Sequence, residues 1–79
     1  MITLKTFVSV NCSPCQMLKK ELEGFDNVQY INVMEDFDTT LEFQVRKSPT
    51  TIILKEGKEV GRFVGFKTKQ EITSYLESI

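Results

Sequence analysis

The only two cysteines in this chain of 79 residues stand where a strand pattern gives way to a helix pattern. They form the segment Cys12-Ser13-Pro14-Cys15. Upstream, Ile2 to Val10 is rich in β-branched residues and alternates loosely, as a buried strand does. Downstream, from Ser13 to about Glu23, Cys15, Leu18 and Leu22 fall on one helical face at i, i+3 and i+7. Pro14 suits the first turn of that helix, where its missing N–H leaves nothing unsatisfied. Gly24 supplies a stop. Two thiols at this spacing, at a helix start, can close into a disulfide and open again. Any fold proposed for the chain must therefore set this pair at a strand-to-helix junction.

The remainder extends the pattern. Val28 to Met34 predicts a second strand. Asp38 is a candidate cap for a short helix carrying Leu41 and Val45 at i and i+4. Pro49 breaks the chain. Thr50 to Lys55 and Val60 to Val64 predict two strands joined by Glu56-Gly57-Lys58, a hairpin signal. Thr68 and Glu71 match the capping box, and the helix behind them places Ile72, Tyr75, Leu76 and Ile79 on one face. The element order is β-α-β-α-β-β-α. Its first βαβ unit implies two parallel strands with a right-handed crossover. The hairpin adds antiparallel strands, so the expectation is an α/β domain over residues 1–79, with a mixed four-stranded sheet flanked by helices on both faces.

Composition narrows the function classes. Apolar content is 41% and charged content 27%, ordinary for a globular domain, and the net charge is −1. Only Lys19-Lys20 and Arg46-Lys47 put basic residues side by side, which argues against a nucleic-acid footprint. The acidic run Glu35-Asp36-Asp38 reads as a solvated loop and helix start. The apolar run Ile52-Ile53-Leu54 is far too short to span a membrane. The N-terminus has no charged leader followed by an apolar stretch, so the expected setting is cytoplasmic, where a Cys-x-x-Cys pair is catalytic or metal-binding more often than structural. With two cysteines and no histidine, one chain cannot assemble a four-ligand Cys/His zinc site. A zinc site shared between two chains and a purely structural disulfide remain open on the residues alone. No Ser/His/Asp set, Gly-rich phosphate loop or separate Cys/His pair is present.

The two thiols are not equivalent. Cys12 falls at the helix N-terminus, where unpaired backbone N–H groups and the positive end of the dipole favour an anion and lower the thiol pKa. Cys15 lies a turn further in, on the apolar face. That asymmetry assigns Cys12 as the attacking thiolate and Cys15 as the thiol that resolves the mixed disulfide.

With these residues in view, the chain resembles the thioredoxin-fold family in a minimal, glutaredoxin-sized form. The strand followed by Cys12-Ser13-Pro14-Cys15 looks like the family's active-site turn. Val45-Arg46-Lys47-Ser48-Pro49-Thr50 looks like the segment carrying its cis-proline, and Lys55-Glu56-Gly57-Lys58 with Val64-Gly65 looks like the hairpin that follows. The resemblance implies a minimal thioredoxin fold and a cis Ser48-Pro49 bond against the cysteine pair. It also implies a docking groove for extended substrate made by Asn11, Ser13, Pro14, Ser48, Pro49 and Gly65.

The chain departs from the family pattern at several positions. Asn11 stands where many thioredoxins have Trp, and Ser13-Pro14 replaces Gly-Pro. Thr6 takes the place of a buried Asp, and a hydroxyl cannot act as a base in its stead at neutral pH. Gly65-Phe66-Lys67-Thr68 lacks the Gly-Gly-x-Asp-like turn with which glutaredoxins hold glutathione. Gly65-Phe66-Lys67 looks somewhat like an element of the small redoxins that reduce ribonucleotide reductase, although Phe66 also reads as a core or staple residue. The resemblance implies a monomeric reductant of protein disulfides with no bound cofactor. Its own disulfide would be recharged by a separate flavin-dependent reductase of the thioredoxin-reductase kind. An oxidant or isomerase, and a non-catalytic binding module, are the alternatives.

Overall fold

The computed structural model describes residues 1–79. The elements run β1 (Ile2–Val8), α1 (Ser13–Glu21), β2 (Val28–Asn32), α2 (Phe37–Glu42), β3 (Thr50–Lys55), β4 (Lys58–Val64) and α3 (Lys69–Glu77). The four strands form one sheet in the order β2-β1-β3-β4. β1 pairs parallel with β2, Leu4 opposite Val28 and Phe7 opposite Ile31. It pairs antiparallel with β3, Thr6 opposite Thr51, and β3 pairs antiparallel with β4. This is the mixed four-stranded sheet that the element order predicts, and it is a thioredoxin fold.

Alternation along β1 sorts its side chains between two faces. On one face Leu4 joins Leu18 and Leu22 of the α1 segment, Ile53, Phe63 and Ile72 of α3 in a buried cluster. On the other, Phe7 packs on Phe43 at the end of α2, with ring centroids 5.8 Å apart. The consecutive Ile52 and Ile53 of β3 are both fully buried, which requires cover on both sides of the sheet.

The helices are tied down at their ends. Cys12 caps α1, and Lys19 and Lys20 in its last turn suit the negative end of the dipole. Thr68 and Glu71 form the expected capping box on α3. The Glu21 carboxylate accepts the Lys69 N–H at 2.7 Å, fastening the end of α1 to the start of α3. The Tyr75 hydroxyl accepts the Arg62 N–H at 3.2 Å and can donate to the Arg62 carbonyl at 3.3 Å. Arg62 in turn binds the Glu59 carboxylate twice, at 2.7 and 2.9 Å, and donates to the Phe43 carbonyl at 3.0 Å.

Several local expectations are corrected. β1 stops at Val8 rather than Val10, and β2 at Asn32 rather than Met34, because the chain turns at those points into the two loops at one end of the sheet. Asp36, not Asp38, caps α2; its carboxylate accepts the Thr39 N–H at 3.2 Å. Val45 lies outside that helix, since Gln44 adopts φ +55° and ends it. β4 starts at Lys58 rather than Val60 because the turn needs only Glu56 and Gly57, both at positive φ. Ile79 lies beyond α3. Phe66 is 38% exposed rather than part of the core.

Candidate active site

The loop from β1 to α1 builds one side of the site. Asn11, exposed and at φ +54°, turns the chain so that Cys12 reaches the helix N-terminus. Cys12 has extended backbone angles, and its Sγ accepts the Cys15 N–H at 3.2 Å. A sulfur thus occupies the position where Ser, Thr, Asp or Asn ordinarily satisfies a free backbone donor. The donor is present whether the sulfur is bonded or anionic, and it favours the anion. Cys12 and Cys15 form a disulfide, with Cα atoms 5.2 Å apart. Cys12 is partly exposed, whereas Cys15 is 1% exposed, as their helix positions predict. Ser13 and Pro14, both exposed, form the first turn between them.

The opposite side comes from the segment that enters β3. The Ser48-Pro49 peptide is cis, and Pro49 is buried. The Ser48 carbonyl oxygen lies 3.9 Å from Cys12 Sγ, placing an acceptor beside the sulfur that the reduced thiol can use. The Ser48 hydroxyl pairs with that of Ser9 at 2.7 Å, joining this segment to the end of β1. The Thr50 hydroxyl donates to the Lys47 carbonyl at 2.6 Å, and the Gly65 N–H donates to the Pro49 carbonyl at 2.8 Å. Gly65 holds φ +88° there, a conformation that suits glycine. Asn11, Cys12, Ser13, Pro14, Cys15, Ser48, Pro49 and Gly65 are therefore gathered at one end of the sheet, although the first and last are 54 residues apart in sequence.

Ser9 was not legible as part of this arrangement, because its partner is 39 residues away and no local pattern marks it. Thr6, read from sequence only as a missing carboxylate, has a partner of its own. Its hydroxyl lies 3.1 Å from that of Thr51, and both residues are fully buried. Residues 9–16 carry no charge, so Arg46 and Lys47 are the nearest charges in sequence to Ser48. No three His, Cys, Asp or Glu side chains converge to hold a metal ion. No helix is long and apolar enough to cross a membrane.

A Cys-x-x-Cys disulfide capping the helix of a βαβ crossover, opposite a cis-proline loop, defines a thioredoxin-fold thiol-disulfide oxidoreductase. Comparison with known proteins agrees. Residues 2–79 match the family model described as a thioredoxin-like domain, and the chain belongs to that family. It is 31% identical to the thioredoxin of Staphylococcus saprophyticus subsp. saprophyticus, over 96% of this chain and 80% of that one. A thioredoxin from Alicyclobacillus acidocaldarius is 30% identical over 96% of this chain and 79% of its own length. Among solved structures, the thioredoxin NaTrxh of Nicotiana alata superposes with a TM-score of 0.86 at 31% identity, covering 98% of this chain and 71% of its own. A single-substitution variant of the thioredoxin from Halobacterium salinarum gives 0.89 at 29% identity, covering 98% and 73%.

Proposed function

We propose that the protein is a cytoplasmic, monomeric reductant of protein disulfides in which Cys12 attacks and Cys15 resolves. One observation carries this division: Cys12 is partly exposed and its Sγ receives a backbone N–H, while Cys15 is 1% exposed on the apolar face of α1. In the reduced protein the Cys12 thiolate attacks one sulfur of a substrate disulfide. A mixed disulfide forms and the other substrate sulfur leaves as a thiolate, which takes up a proton. Cys15 then loses its proton and attacks Cys12 Sγ, forming the Cys12–Cys15 disulfide and releasing the second substrate thiol. Two electrons pass to the substrate, and a two-electron donor must return them. A flavin-dependent reductase of the thioredoxin-reductase kind fits that role by family likeness.

Asn11, Ser13, Pro14, Ser48, Pro49 and Gly65 form the surface on which the substrate chain lies. The backbone before Pro49 is open to strand-like pairing with it. Ribonucleotide reductase belongs among the proposed substrates, supported by Gly65-Phe66-Lys67 beside the Pro49 carbonyl, with Phe66 38% exposed.

Cysteine variants test the roles. Cys12→Ser is expected to abolish reduction of a protein disulfide such as insulin's. Cys15→Ser is expected to accumulate a mixed disulfide visible by mass spectrometry. Full activity of Cys12→Ser would sink the assignment. Direction is tested by equilibration against a thiol buffer. A potential between about −270 and about −200 mV fits a cytosolic reductant, whereas about −180 to about −120 mV would mark an oxidant or isomerase.

A further inference from the structure

Beside the cysteine pair, between the start of α2 and the segment that leads to Pro49, lies a cleft of about 190 Å³. Val33, Met34, Phe37 and Val45 supply its apolar wall, and Arg46 and Lys47 its charged one. Ser48 belongs both to this cleft and to the contact with Cys12 Sγ. We propose that the cleft is a substrate subsite, which selects protein disulfides with a bulky apolar side chain and a carboxylate within a few residues of the attacked cysteine. The proposal rests on the reading that Cys12 is the attacking thiol.

Four features of the cleft argue for this occupant. Its volume is below the range of about 300–1,000 Å³ typical of cofactor and small-ligand pockets, so it suits one anchoring side chain. Its apolar wall is left open to solvent, with Met34 77% and Phe37 59% exposed, and covering such surface is favourable. Its lining holds two cations and no anion. Neither cation has an ion-pair partner, since the pairs in the chain are the N-terminus with Glu56 and Arg62 with Glu59.

The nearby carboxylates do not reverse this polarity. Asp36 is occupied by the N–H and hydroxyl of Thr39, and Glu35 and Asp38 are exposed and outside the lining. Continuity with the cysteine pair through Ser48 makes the cleft reachable. An extended chain advances about 3.3 Å per residue, so a segment attacked by Cys12 passes the cleft within a few positions of its cysteine.

The test uses the full, reduced protein in single turnover against symmetric disulfides of short peptides. Cysteine is flanked in turn by Leu and Glu, by Ala and Glu, or by Leu and Lys; hydroxyethyl disulfide serves as an unflanked control. The Leu/Glu peptide is expected to react about tenfold faster than Ala/Glu. It is expected to react about threefold faster than Leu/Lys at low salt, a gap that narrows as salt is added. In the double variant Arg46→Glu/Lys47→Glu the charge preference is expected to invert, and in Phe37→Ala the Leu-over-Ala preference to shrink. Equal rates for all peptides, with hydroxyethyl disulfide still reduced, would overturn the subsite. A charge preference that survives the double reversal would remove Arg46 and Lys47 from it. Loss of reaction with hydroxyethyl disulfide itself would instead overturn the reading of Cys12.

Discussion

Against one face of the sheet, Leu4, Leu18, Leu22, Ile53, Phe63 and Ile72 interlock with at most 6% exposure, and two helices are clamped above them by Glu21, Thr68 and Tyr75. Against the other face α2 spans only Phe37–Glu42, and it leaves Phe37 and Leu41 each 59% exposed. Its anchorage is narrower: Phe7 on Phe43, Lys5 over the Phe43 ring at 5.2 Å, and Arg62 on the Phe43 carbonyl. The two faces divide the labour. The α1/α3 face supplies cohesion and holds the buried cysteine. The α2 face spends less of its apolar surface on the fold and so keeps some for contact with other molecules.

Truncating one apolar side chain on each face is expected to have very different consequences for stability. Leu18→Ala is expected to cost about 2–5 kcal/mol, because it empties a fully buried site under α1. Leu41→Ala is expected to fall within about 0.5 kcal/mol of the parent. Urea unfolding of the oxidised forms measures both, and comparable losses would show that the α2 face contributes as much to the fold as its opposite.

The α1/α3 face also holds a buried hydroxyl pair, Thr6 with Thr51. Thr6→Val leaves the Thr51 hydroxyl without its partner and is expected to cost about 1–3 kcal/mol. The double variant Thr6→Val/Thr51→Val removes both polar groups and is expected to recover most of that loss. A double variant as unstable as the sum of the singles would mean that the two hydroxyls do not act together.

A smaller effect comes from the α3 cap. The backbone N–H of Thr68, and then its hydroxyl, hold the Glu71 carboxyl below its ordinary pKa. A carboxylate lowered in the folded state contributes stability above the ordinary glutamate pKa, and that contribution is lost as pH falls through the lowered value. Thermal melts from about pH 6 down to about pH 3 are therefore expected to fall less steeply for Glu71→Gln than for the parent. Parallel slopes would show that this carboxylate adds nothing to the acid sensitivity of the α3 end.

The features legible from sequence were those whose causes are local. Cys15, Leu18 and Leu22 announced the buried face of α1 by spacing alone, and all three are buried. Thr68 and Glu71 announced their reciprocal cap within four residues. The α2 segment was harder because Asp36 and Asp38 are both competent caps, and its apolar residues do not form one buried stripe. The Ser9–Ser48 and Thr6–Thr51 bonds join residues 39 and 45 positions apart, so only the folded sheet brings them together. The cleft beside Ser48 is likewise a product of folding: its walls come from the β2–α2 loop and α2 on one side and the segment before Pro49 on the other.

The sulfur cap on α1 bears on how this protein can be dissected. Because Cys12 Sγ is both half of the disulfide and the acceptor for the Cys15 N–H, deleting the side chain disturbs two things at once. Serine separates them: its hydroxyl keeps a good acceptor at the helix start while removing the sulfur. Alanine leaves the first turn without a cap. A serine variant therefore reports on chemistry alone, an alanine variant on chemistry and architecture together, and the gap between the two isolates what the helix owes to its own cysteine.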